Sequence, residues 1–258
     1  MSLIKDKREA ISAMRNGFSL HHISKELCGD KDVVLEAVKR YTIALDWAAQ
    51  ELRGDKDVVL EAVKRYPFAL ARTTEKLRGD KDVVLEAVKQ DGSVLLWASW
   101  ELKCDKDVVL EAMRTCGNAI AHASQDFMDD KDIVMAAVKQ NGRALNYASQ
   151  NLVEDKDILL AAVKQNGRAL KFVPHYLNTK DVVLAWVREN GTALHFTLEI
   201  FRDMEEVVFE AVKQDEGSLK FASERIQEKI RGLDCDGTIV EKFLLLKKMS
   251  RAKSVKKT

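Results

Sequence analysis

Apolar residues recur along this chain with two nested periods. In residues 130–154, DKDIVMAAVKQNGRALNYASQNLVE, the side chains Ile133, Val134, Ala137 and Val138 fall at i, i+1, i+4 and i+5. That spacing is one face of a short helix, with Lys139 and Gln140 on the other side. Asn141-Gly142 predicts its end, glycine taking the left-handed position that follows many helices. Ala144, Leu145, Ala148 and Leu152 predict a second helix from about Arg143 to Leu152. Each helix would run about ten residues, or roughly 15 Å.

The longer period is 25 residues. It is marked by Leu20, Leu45, Leu70, Leu95, Ile120, Leu145, Leu170, Leu194 and Leu219, with a single step of 24 between Leu170 and Leu194. Helices this short do not persist alone, because nucleation is costly. One hairpin cannot bury its own apolar stripe either, so stacking must supply both. The expected fold is therefore all-α, an α-solenoid of about nine 25-residue helix-turn-helix repeats with a C-terminal capping helix. Residues 1–229 would form the array, 230–246 the capping helix and 247–258 a basic, disordered tail.

Individual positions sharpen this picture. Asp130 and its equivalents predict N-caps, with Asp132 in the dipole-favoured first turn. Thr179, another capping residue, stands where a later repeat lacks the aspartate. Thr42 and Pro67 replace the glycine, so those turns should differ in shape, and Pro174 should kink or shorten a second helix. Residues 238–246 are amphipathic and suited to covering the open apolar end.

The consensus D-K-D-V-V-L-E-A-V-K-x-x-G-x-A-L-x-x-A-S-x-x-L resembles the domain of unknown function numbered 4116, over roughly residues 20–225. About two such units make up that domain. The resemblance implies a helical repeat fold and supplies no catalytic residues to carry over. The family's spread through protists, large viruses and intracellular bacteria implies delivery into a host cell as one setting.

Charge and chemistry narrow the function. Of 42 Lys/Arg, six lie in the last twelve residues (Lys247, Lys248, Arg251, Lys253, Lys256 and Lys257), leaving 36 against 41 Asp/Glu in the preceding 246. A slightly acidic body is not the footprint of a protein gripping nucleic acid along its whole length. Cys28, Cys104, Cys116 and Cys235 form no CxxC pair and suit a reducing, cytoplasmic setting, with nuclear import by the basic tail as an alternative. There is no apolar leader and no run of eighteen apolar residues, which argues against secretion and against a membrane span. Six Asp-Lys-Asp copies lack further oxygen ligands, DCDG at 234–237 lacks the rest of a calcium loop, and no nucleophile or phosphate-loop motif occurs. No enzyme, metal or cofactor is expected.

Binding is the remaining class. Two residues past each ruler leucine stand His22, Trp47, Arg72, Trp97, His122, Tyr147, Phe172, Phe196 and Phe221, ring-bearing except for one guanidinium. The N-terminal members should be partly exposed and the C-terminal phenylalanines core. One residue past the leucine stand His21, Asp46, Ala71, Leu96, Ala121, Asn146, Lys171, His195 and Lys220, and five past it Gln50, Glu75, Trp100, Gln125, Gln150 and His175. Such variety within near-identical units marks positions that packing does not dictate. Asp46, Trp47, Arg72, Leu96, Trp97, Trp100, His122, Asn146, Tyr147, Lys171, His175 and His195 are the candidate partner contacts. The expected partner is a protein. Single-stranded nucleic acid, stacked on the ring column, is the alternative, but it needs a parallel basic stripe. Lys39, Lys64, Lys89, Arg114 and Lys213 fall three residues after glutamates that can neutralise them.

Overall fold

The computed structural model describes residues 3–41, 43–173, 179–233 and 237–255. Helices account for nearly all its regular structure; extended pairing among the described residues is one parallel bridge between Ile4 and Ile23. The chain divides into two compact units, Met1–Gln140 and Asn141–Thr258, each a stack of helical repeats.

In the N-terminal unit Lys7–Arg15 precedes the long repeat helices Lys31–Val38, Lys56–Arg65, Lys81–Gln90, Lys106–Thr115 and Lys131–Gln140. Each buries its i, i+1, i+4, i+5 set, as Val58, Val59, Ala62 and Val63 show. In the C-terminal unit Lys156–Gln165 and Glu205–Gln214 do the same, while Lys180–Glu189 buries Val183, Leu184, Trp186 and Val187 and leaves Val182 half-buried, with Trp186 standing where neighbouring repeats carry alanine. The caps are those the aspartates predict. Asp55 Oδ1 accepts from the amides of Asp57 and Val58 at 3.0 and 3.1 Å, and Asp30, Asp80, Asp105, Asp130 and Asp155 repeat the pattern. Thr179 accepts from Val182.

The second helix differs from expectation. Instead of one α-helix from Arg143 to Leu152 there is a six-residue 3₁₀ segment, Gly142–Tyr147, an extended pair, and a single α-turn, Gln150–Val153. Two local interactions cause the break. The residue before the glycine folds its side chain onto the amide two residues on (Asp91 to Ser93, 2.9 Å; Asn141 to Arg143, 3.1 Å), an Asx turn that opens the tight segment. The extended pair then donates an amide backwards to the preceding repeat. Thr74 donates to the Arg53 carbonyl at 3.2 Å, Ser99 to Arg78 and Ser124 to Lys103 both at 2.9 Å. An amide bonded between repeats is lost to a continuous helix. Ala144, Leu145 and Leu152 are buried as predicted, while Ala148 is half-buried.

Glycine has a different role from the one expected. Among the described residues only Gly17 has positive φ. At Gly92 and Gly142 a β-carbon would lie 2.0 and 2.2 Å from the carbonyl oxygens of Ala112 and Ala162. These glycines let the next repeat's long helix approach the turn. Where Pro67 replaces glycine, a six-residue 3₁₀ segment, Pro67–Arg72, still forms; the repeat containing Thr42 uses an α-turn, Ala44–Trp47. Thr42 itself and Pro174 lie outside the described residues.

The C-terminal unit ends in Glu224–Arg231 and Ile239–Val255. Thr238 and Glu241 form a capping box, each side chain accepting from the other's amide at 3.2 and 2.8 Å. Phe243 is buried with its ring 5.7 Å from Phe209, covering the last long helix. This helix begins later than the expected 230 and, instead of giving way to a disordered tail at 247, continues to Val255.

Candidate partner-binding surface

The Asp-Lys-Asp motif does more than cap. Lys31 Nζ lies 2.8 Å from both Asp55 Oδ2 and Asp57 Oδ2 of the next repeat. Lys56 forks likewise to Asp80 and Asp82, Lys81 to Asp105 and Asp107, and Lys106 to Asp130 and Asp132. The first aspartate thus uses one oxygen on its own helix and the other on the preceding repeat. The Lys7 and Lys31 ammonium groups hold the carboxyls of Asp30 and Asp55 below the usual range, helped by the backbone amides. The carboxylates in turn hold Lys31 above its ordinary value. This ladder is structural, and it accounts for the charges that are conspicuous in the sequence.

The variable positions sit on the 3₁₀ segments and short α-turns, away from the ladder's helix starts. In the N-terminal unit Asp46, Trp47, Leu96 and Trp100 are exposed, Trp100 most of all at 65%. Trp47 lies 5.7 Å from the His21 ring. Arg72 is exposed, its Nε 2.9 Å from Asp46 Oδ1 in an ion pair. Trp97 is half-buried, edge-on to Phe68 at 5.5 Å. His122 is half-buried too; burial and the nearby Lys103 push its imidazole below the ordinary value.

In the C-terminal unit Asn146, Tyr147 and His195 are exposed, with the His195 ring 4.7 Å from Phe196 and 4.6 Å from Phe221. Phe172, Phe196 and Phe221 are half-exposed, not core as expected, because they close the 3₁₀ segments at the rim of the stack. Lys171 belongs to Gly167–Phe172, and His175 lies outside the described residues. Of the basic tail, Lys247 and Lys248 are exposed on the last helix, with Lys247 Nζ 4.0 Å over the Phe209 ring. Arg251 and Lys253 belong to that helix; Lys256 and Lys257 lie outside the described residues, as do Cys235 and 234–236 of the DCDG stretch.

Several candidates converge on cavities. One of 380 Å³ in the N-terminal unit joins Asp46, Arg72 and Trp97 to Ile43, Pro67, Phe68 and Ala71. Another of 430 Å³ in the C-terminal unit joins His195 to Arg143, Arg168, Phe172 and Phe196. Trp100, Asn146 and Tyr147 line neither.

Two rows escaped the candidate set. Two residues before the ruler leucine stand Phe18, Ile43 and Phe68, all exposed, then Ser93 and Asn118, and in the C-terminal unit Arg143 and Arg168. Their signal was the same variability that singled out the neighbouring columns. Eight residues after the leucine stand Arg53, Arg78 and Lys103, which make no ion pair with a carboxylate among the described residues, whereas Lys39, Arg114 and Lys213 pair with Glu36, Glu111 and Glu210 as their spacing predicts.

Among the described residues no group of three or more His, Cys, Asp or Glu is placed to hold a metal ion, and no helix is long and apolar enough to cross a membrane. No curated protein and no solved structure matches the chain. The family model described as Domain of unknown function (DUF4116) matches residues 9–53, 55–103, 105–153 and 155–202. Most of these matches span two 25-residue repeats, a 3₁₀ segment and a long helix twice over, and together they cover well over half the chain: the protein belongs to the DUF4116 family.

Proposed function

We propose that the protein is a non-enzymatic interaction scaffold that binds a protein partner along the 3₁₀ segments and short turns of successive repeats. One observation carries the reading. Phe18, Ile43, Trp47, Phe68, Leu96 and Trp100 are large apolar side chains left exposed within a single compact unit. Folded proteins seldom leave contiguous apolar surface uncovered, and Ile43 and Phe68 of this set share one cavity with Trp97. Repeats stack at roughly the helix-packing distance of 8–10 Å. Each therefore offers one contact for every third residue of an extended segment, or every second turn of a helical one.

The test is affinity purification from native lysate with the parent chain and with an Ile43→Ser/Phe68→Ser/Trp100→Ala variant, each with and without nuclease. The scaffold reading expects a protein partner that survives nuclease and is lost with the variant. Retention of every partner by the variant would refute it. Nucleic-acid binding is a second reading, favoured by Arg143 and Arg168 around the half-exposed rings of Phe172 and Phe196. Nuclease-sensitive partners would promote it.

A further inference from the structure

The two rows missing from the candidate set meet at Arg72. On one side lies the 380 Å³ cavity walled by Ile43, Phe68 and Trp97. On the other lies a 370 Å³ cavity walled by Arg53 and Arg78, with Arg72 common to both. Asp46 holds Arg72 through Nε. The Nε atoms of Arg53 and Arg78 are buried and lack a hydrogen-bond partner. Glu75 lines the same cavity but makes no ion pair with either arginine. Lys103 continues the row one repeat on, its ammonium held below the usual range by burial and by Arg78. A partly buried cation without a counter-charge is costly. In this same unit every ladder lysine from Lys31 to Lys106 is given two carboxylates. The row is thus an uncompensated positive strip beside an apolar cleft.

We propose that this surface receives an acidic, apolar protein segment, which places an apolar side chain between Ile43, Phe68 and Trp97 and carboxylates on Arg53 and Arg78. The proposal rests on the scaffold reading and names the chemistry of its partner. Guanidinium forks match carboxylates in pairs, as a lone ammonium does not. A nucleobase suits the cleft less well. Carbon dominates its walls, and of the charged groups that line it Arg72 is paired with Asp46 and Arg65 with Glu61, so the polar edge of a base would find few free partners. A leucine or phenylalanine side chain carries no such penalty.

The experiment presents the full-length protein to a random peptide display library, followed by titration of recovered synthetic peptides by fluorescence anisotropy. The proposal expects peptides with Asp or Glu beside Leu, Phe or Trp, bound at least about tenfold more weakly by Arg53→Gln/Arg78→Gln and by Phe68→Ala. The reversed variant Arg53→Glu/Arg78→Glu should select Lys- or Arg-bearing peptides with the same apolar residue. Circular dichroism checks each variant's fold, and Arg53→Lys/Arg78→Lys, which keeps the charge, should bind with intermediate strength. Acid-free apolar peptides, bound equally by the Gln variant and lost with Phe68→Ala, would overturn the acidic partner and leave the scaffold standing. Peptides indifferent to both sets of variants would overturn both. A uridine oligonucleotide held more tightly than any peptide, and released by the Gln variant, would assign the strip to nucleic acid and overturn the proposal.

Discussion

In the N-terminal unit the long helices begin at Asp30, Asp55, Asp80, Asp105 and Asp130, and every one of those carboxylates also receives a lysine from the helix before it. The C-terminal unit begins its long repeat helices at Asp155, Thr179 and Met204, the last with no side-chain cap at all, and uses Lys180 to Glu206 and Arg188 to Glu210 as cross-links. Yet both units build the same repeat. What they share is the buried i, i+1, i+4, i+5 set, the glycine at the close approach and the 3₁₀ segment. The ion ladder therefore tunes the stack, and packing decides it. The outer surfaces differ just as sharply. The column holding Phe18, Ile43 and Phe68 in the first unit holds Arg143 and Arg168 in the second. A position that accepts phenylalanine in one repeat and arginine in another is not dictated by the shared core, so its content is free to serve recognition.

The strongest way to break this comparison is to attack what both units share. Gly92→Ala and Gly142→Ala would each drive a β-carbon into a backbone carbonyl of the following helix. Each should cost on the order of 3 kcal/mol in urea unfolding. Gly217→Ala, whose β-carbon would meet the flexible Asp215 carboxylate at 3.1 Å, should cost far less. Equal losses at all three would show that close approach is not the reason for glycine.

Acid should separate the units next. Asp30 and Asp55 have folded pKa values below their unfolded ones. The unfolded chain therefore takes up protons first, and their contribution, present above about pH 4, disappears as pH falls through the folded values. With six aspartate caps on α-helices, Asp6 included, against Asp155 alone, the N-terminal unit should lose structure first. Trp47, Trp97 and Trp100 report on that unit and Trp186 on the other. Fluorescence of a Trp47/Trp97/Trp100→Phe variant, compared with a Trp186→Phe variant, gives the order; simultaneous transitions would count against it. At the alkaline end the sign reverses. Lys31, raised in the folded state, contributes below its unfolded value and loses that contribution as pH rises through the folded one.

Exchanging the outer column is a gentler change. Ile43→Arg and Arg168→Phe should each leave the unfolding midpoint within about 0.5 kcal/mol of the parent, because both sites are exposed. A larger loss would give the column a packing role after all. The smallest effect belongs to Lys81→Met, which removes one exposed fork. A slight drop in melting temperature, shrinking as salt is added, is expected, since exposed ion pairs contribute little and are screened.

Sequence patterns revealed the long helices, their caps and their buried faces, because each depends on residues close together in the chain. Val58, Val59, Ala62 and Val63 need only helical periodicity to be recognised. The segment after Gly142 misled for a physical reason. Its Ala-Leu-x-x-Ala spacing suits an α-helix, but the Asx turn at Asn141 opens a 3₁₀ segment instead, and in the equivalent segments before Thr74, Ser99 and Ser124 an amide bonded to the previous repeat fixes the other end. The lysine forks were hidden because the stacking offset appears only once repeats are in place. Exposure of Asp46, Leu96, Trp100 and Asn146 could be read from their variability. The bare arginines could not, since Arg53 and Arg78 differ from paired cations only in which groups stand near them in space.

The fork geometry also sets a rule for how such a chain can change length. Lys31 reaches residues 24 and 26 positions ahead, straddling its own equivalent, and Lys56, Lys81 and Lys106 do the same. Each repeat thus has a donating side and an accepting side, like links joined head to tail. A whole 25-residue block inserted between two links presents the same acceptors to one neighbour and the same donor to the other. A single residue inserted into a loop puts the next pair of carboxylates out of step. Growth by entire blocks is therefore nearly neutral to the stack, and each added block brings one more position in every outward-facing column.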